Sequence, residues 1–135
     1  MSFDLTADQI DLRDRARELA STLVAGNAAE TDKTEQYPWH NVKALTEAGF
    51  MGMTVPESLG GPGLGYLDAV LVIEEMAKAC GVTARIVVEA NMGAVGAIIA
   101  YGSEAQKQLA ARQVLGEVLD LDQAHLARLK DDQVI

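Results

Sequence analysis

Val82-Thr-Ala-Arg-Ile-Val-Val-Glu-Ala-Asn-Met-Gly-Ala-Val-Gly-Ala-Ile-Ile-Ala-Tyr101 is the most apolar stretch of the chain, and its reading decides the fold. β-Branched Val87, Val88, Ile98 and Ile99 suit a strand locally, but the length of the run favours a helix. Arg85, Glu89 and Asn91 interrupt it. Only Met92 to Tyr101 is free of polar side chains, too short to span a bilayer and suited to a buried core helix. No membrane span is expected. Gly93 and Gly96 inside a helix cost about 1 kcal/mol each relative to Ala, so a second helix or a ligand is expected close to that face.

Working outward, the flanking segments are also helical. Ser103-Glu-Ala-Gln106 follows Gly102 as a capping box and opens a helix to about Leu115. On the other side, Tyr66 to Lys78 carries Leu67, Val70, Leu71, Val72, Ile73 and Met76 at helical spacing, with Gly81 as separator. Thr6-Ala-Asp-Gln9 is another capping box, with Leu5 and Ile10 placed as a hydrophobic staple and an apolar stripe running on to Leu23. Gly26 and Asn27 are expected to end that first helix and to leave 26–36 as a polar loop. Pro38 suits a first helical position, before a short helix through Trp39, Val42, Leu45 and Ala48 that Gly49 closes. Gly49 to Gly65 reads as a loop pinned to the core by Phe50, Met51, Met53 and Val55. Beyond Gly116, Leu121, Ala124, Leu126 and Leu129 allow one more helical segment. The expected fold class is all-α, a bundle of five to six helices.

Composition narrows the function. The chain has 135 residues, with 20 acidic and 11 basic side chains giving a net charge of −9, and 49% of it is apolar. That suits one globular domain with its own core. Scattered bases on an acidic chain argue against nucleic acid and anionic membrane surfaces. Without a signal or transit pattern at the start, a cytoplasmic location is expected.

The residues that could carry chemistry are few. His40 and His125 lack a partner at metal-binding spacing and read as surface residues. Cys80, the single cysteine, reads as a small core residue. Glu74 and Glu75 are adjacent on a helix and point apart. Gly60-Gly-Pro-Gly-Leu-Gly65 has neither P-loop nor dinucleotide spacing and reads as a structural turn. Arg85 and Glu89, four apart, share a helix face and read either as an intrahelical ion pair or as the polar floor of a pocket.

Leu5-Thr-Ala-Asp-Gln9, Tyr37-Pro-Trp39, the run Leu45 to Leu64 with its Val55-Pro-Glu-Ser-Leu-Gly-Gly-Pro-Gly-Leu64 block, Ile73-Glu-Glu-Met-Ala77 and Tyr101-Gly-Ser-Glu-Ala-Gln-Lys107 occur in that order. Together they resemble the amino-terminal helical domain of the acyl-CoA dehydrogenases, over residues 3–117. The resemblance implies a three-domain, FAD-dependent enzyme that oxidises acyl-CoA thioesters to the trans-2-enoyl form. A glutamate of the last domain takes the α-proton and the flavin N5 takes the β-hydride, the acid–base and hydride chemistry that reaction needs. The helical domain helps to wall the acyl-chain pocket. Matching around Glu89-x-Asn91 puts Arg85 and Glu89 at the pocket floor and Ile86, Ala90 and Gly93 on or beside the side facing the acyl tail.

After Glu117 the chain departs from the family pattern, so 1–117 is read as the family-like domain and 118–135 as a divergent helical tail. None of Glu74, Glu75, Glu89 and Glu117 matches the family's catalytic base. No catalytic, flavin-binding or metal-binding residue is therefore assigned. The expectation is a truncated chain or subunit, inactive and without bound FAD by itself, that needs the flavin-binding domains from a partner. Acyl-CoA is the expected small-molecule ligand, and assembly as a homo-oligomer is a further expectation. The alternative readings are a non-catalytic helical interaction or oligomerisation module, and a small acyl-binding protein.

Overall fold

The computed structural model describes residues 3–116, and among them there are helices and turns and no strand. The helices are α1 (Ala7–Leu19), α2 (Ala25–Thr34), α3 (Trp39–Glu47), α4 (Tyr66–Ala79), α5 (Gly81–Asn91), α6 (Ala94–Tyr101) and α7 (Glu104–Val114). The all-α expectation is met. The reading of 118–135 as a tail falls outside the described residues.

The expected loop at 26–36 is instead helix. A π-helical turn, Ala20–Val24, joins α1 directly to α2, and the backbone stays helical through Leu19, Ala20 and Ala25. The physical reason lies in Leu12, Ala16, Ala20 and Val24, which are all buried at four-residue spacing. A regular helix rotates about 40° too far at each such step. The wider π turn takes back part of that drift and keeps the next face inward. Ala28 and Thr31 then continue the buried side, which outweighs the helix penalty of Gly26. The rod ends at Glu35, whose left-handed backbone (φ 55°) stops it.

The main core joins α1, α3, α4 and α5 through Leu12, Ala16, Leu45, Phe50, Met53, Val72, Met76 and Val87 among others, with Cys80 inside it as expected. Cys80, rather than Gly81, separates α4 from α5: its extended backbone (φ −157°, ψ 115°) makes the corner and Gly81 is the first residue of α5. Pro38 lies just before α3 rather than inside it. Thr6 and Ser103 form the expected capping boxes of α1 and α7.

The apolar run 82–101 is not one helix. Although 81–101 is long and apolar enough by composition to cross a membrane, it bends at Met92–Gly93. The amides of both Met92 and Gly93 donate to the carbonyl of Val88, which closes α5. Asn91 directs the break. Its fully buried carboxamide donates to the carbonyls of Phe50 (3.0 Å) and Val87 (2.9 Å) and accepts from the amide of Met53 (2.6 Å). The Thr54 hydroxyl donates to its backbone carbonyl. The end of α5 is thus tied to the loop after α3, and α6 leaves in a new direction. α6 is also not the buried core helix that its composition suggests, because only Val95 is buried. A second, smaller cluster holds it: Val55, Val95 and Ala111, with Leu59, Ile99, Val114 and Leu115 packed around them.

Two polar ties cross the core. Asn41 donates to the Thr83 hydroxyl (2.9 Å) and accepts from Asn27 (3.3 Å). Glu75, only 4% exposed, takes two hydrogen bonds from Arg17 (3.1 and 3.2 Å) and one from Lys78 (2.8 Å). Arg17 and Lys78 hold the Glu75 carboxyl below its ordinary value of 4.5, against the opposing effect of burial.

Replacing Asn91 with Ala removes the acceptor of the buried Met53 amide and the side-chain donor to the Phe50 carbonyl, so an unfolding free-energy loss of about 2–4 kcal/mol is expected by urea denaturation. Glu75→Gln is expected to cost about 1–3 kcal/mol at neutral pH, since charge-assisted hydrogen bonds are lost. A depressed native value stabilises the fold above the unfolded value and loses that stabilisation as pH falls through the native one. The gap between wild type and Glu75→Gln should therefore begin to close below pH 4.5, read from denaturation curves across a pH series.

Candidate functional site

α5 presents three faces. Thr83, Ala84, Val87 and Asn91 are buried toward the other helices. Arg85 and Glu89 lie on the outer side. Ile86 and Ala90 are buried between these two faces, with half-buried Gly93 one turn further on at the corner into α6. The five residues expected at an acyl pocket are therefore contiguous along one side of α5.

Their polar pair is an ion pair. The Arg85 side chain is 74% exposed and its Nε donates to Glu89 Oε1 at 2.6 Å. Glu89 does more than pair, because its Oε2 accepts from the Ala94 amide at 2.9 Å and so caps α6. That backbone hydrogen bond and the Arg85 guanidinium hold the Glu89 carboxyl below the usual range. Gly93 lies directly under this arrangement, and a Cβ there would run into the Glu89 carboxylate.

The glycine segment 60–65 is a closed turn. Gly60 and Gly63 adopt positive φ (85° and 66°). The amides of Gly60, Gly61, Gly63 and Leu64 donate to the carbonyls of Glu57, Pro56, Val55 and Met53. The Gly65 amide donates to Asp68 (2.9 Å). A phosphate-binding loop needs amides free to point at the ligand, and these five are already used. Thr6, Asp68, Glu89 and Ser103 likewise occupy amides at the starts of α1, α4, α6 and α7. No buried side-chain nitrogen or oxygen among the described residues lacks a partner. The amides of this glycine segment and of these four helix starts are thus engaged within the chain.

Other candidates resolve simply. His40 is exposed. Glu74 is exposed and Glu75 buried, so the two do point apart, although Lys78 reaches both (3.5 and 2.8 Å). His125 lies outside the described residues. Among the described residues no three His, Cys, Asp or Glu side chains gather as a metal site.

An exposed apolar surface lies where the sequence suggested a buried core helix. α6 and α7 enclose a groove of about 420 Å³ lined by Ala97, Ile98, Tyr101, Leu109 and Ala110 with Gln106 and Gln113. Tyr101 is 91% exposed, and Ile98 and Leu109 are exposed with it. The signal in the sequence was the absence of any polar face on 92–101, which fits a helix covered on two sides equally well.

The model of the acyl-CoA dehydrogenase N-terminal domain matches residues 6–116. The 3-sulfinopropanoyl-CoA desulfinase of Variovorax paradoxus is 63% identical over 113 residues, 84% of this chain and 28% of the relative. The short-chain-specific acyl-CoA dehydrogenase of Clostridium acetobutylicum is 37% identical over 108 residues, 80% of this chain and 28% of the relative. A solved structure described as the electron transferring flavoprotein of Acidaminococcus fermentans superposes with a TM-score of 0.75 at 33% identity, covering 86% of this chain and 31% of that one. The chain spans less than a third of the length of these relatives. The all-helical fold, the motif order and the family match agree: this chain belongs to the acyl-CoA dehydrogenase family, and residues 6–116 are its amino-terminal domain.

Proposed function

We propose that this domain forms the helical wall of the acyl site in a flavoenzyme that removes the sulfinate group from a short 3-sulfinoacyl-CoA thioester. The observation that carries this reading is the identity gradient: 58–63% to four desulfinases, against 37% to the Clostridium dehydrogenase. The overall change replaces the sulfinate with hydrogen. Water supplies that hydrogen and its oxygen leaves with the sulfur as hydrogen sulfite, so no net oxidant is consumed.

Within this reading Ile86, Ala90 and Gly93 border the acyl chain, and Arg85 faces its anionic end. A sulfinate needs a cationic, multiply donating partner, and guanidinium supplies both charge and a planar fork. Arg85 is the one cation of the five, and Glu89 fixes its orientation. FAD and the catalytic groups belong to the remaining domains of the enzyme, with FAD supplying the flavin chemistry when bound. Those domains are the proposed partner of the α6–α7 face.

The test is a chimera in which residues 6–116 replace the matching segment of the Variovorax desulfinase. It should load flavin and release sulfite from 3-sulfinopropanoyl-CoA. In the same chimera Arg85→Gln should raise KM at least about tenfold, the scale of one lost charge-assisted contact. A folded, flavin-loaded chimera that releases no sulfite but reduces its flavin with butyryl-CoA would favour α,β-dehydrogenation of short acyl-CoA instead. The chain purified alone should be colourless, and stoichiometric flavin absorbance would refute the assignment of FAD to the other domains.

A further inference from the structure

The α6–α7 hairpin is attached to the rest of the domain in an unusual way. Among the described residues the main core contains thirteen buried side chains, and none comes from α6 or α7. The hairpin rests instead on the small cluster of Val55, Val95 and Ala111. Its chain connection to α5 is the corner at Met92–Gly93, where the α-helical hydrogen bonding of α5 has ended. At that corner one side chain bridges the two helices: Glu89, on the last turns of α5, holds Arg85 with Oε1 and the first amide of α6 with Oε2. Residue 93 is glycine where a Cβ would obstruct this carboxylate.

From this geometry we infer that α6–α7 is a hinged flap and that Glu89 is its latch, closing the joint at Gly93 by capping α6 from α5. The flap is separable because few buried apolar contacts and an exposed outer face define a unit that opens at lower free energy than the global fold. The latch is local because the Ala94 amide is one of the otherwise unpaired amides at the start of α6. Glu89 is thus a positioning residue. In the enzyme proposed above, the hinge at Gly93 is one of the residues expected to border the acyl chain, so the latch would set its position, a corollary that rests on that reading.

Amide hydrogen exchange on the full chain tests the latch without any substrate, so its outcome is independent of the desulfination reading. In the wild type, residues 94–114 should exchange together and faster than the amides of α4 and α5. Glu89→Ala should speed exchange across 94–114 about tenfold or more, the effect of losing one charge-assisted hydrogen bond. Residues 69–90 should be unchanged. Arg85→Ala leaves the cap in place and should have a smaller effect. Glu89→Gln retains an oxygen that can accept from Ala94 and should recover part of the protection if Glu89→Ala folds poorly. Wild-type protection of 94–114 equal to that of the core would overturn the flap. Unchanged exchange in the Glu89 variants, or uniform acceleration across the whole domain, would overturn the latch.

Discussion

The side chain of Asn91 is where the architecture is decided. A carboxamide offers two donors and an acceptor, and here all are used within one helical turn of the end of α5: two carbonyls accept from it and the amide of Met53 donates to it. Burying such a group without partners is costly, so α5 and the 50–54 loop must meet in one register. Once they do, the apolar run cannot continue as a single rod. α6 turns away, the glycine-rich loop is drawn under it, and Val55 becomes the seat of the second cluster.

Much of this was legible in the residues. The capping boxes at Thr6 and Ser103 marked true helix starts because each signature describes a reciprocal pair of local hydrogen bonds that needs no tertiary support. The glycine turn at 60–65 was also correctly placed as structure. Two misreadings share a cause. Gly26-Asn27 looked like a terminator and 82–101 looked continuous, because local propensity speaks more loudly in sequence than burial. Val24, Ala28 and Thr31 override the first expectation, and Asn91 overrides the second. Both overrides are tertiary, which propensity does not record.

The candidate site was half legible. The i, i+4 spacing of Arg85 and Glu89 predicted their pairing, and pairing is found. The second role of Glu89, capping α6, depended on a bend that the sequence reading did not contain. The place of the exposed groove was not legible for the same reason: an all-apolar helix is assumed to be covered on every side until its neighbours are placed. The described residues supply an apolar groove between α6 and α7 and an oriented charge pair at the end of α5.

The π turn at Ala20–Val24 bears on how this family member tolerates changes in length. Five residues wound in this wider turn cover about the same angle as four residues of ordinary helix. Trimming one residue there would restore ordinary winding with Ala28 and Thr31 still facing the interior and Asn27 still beside Asn41. The wide turn is therefore a phase corrector. A further residue inserted between Leu19 and Ala25 would turn that face outward, whereas a relative with one residue fewer would keep it inward and align through a single gap at this place.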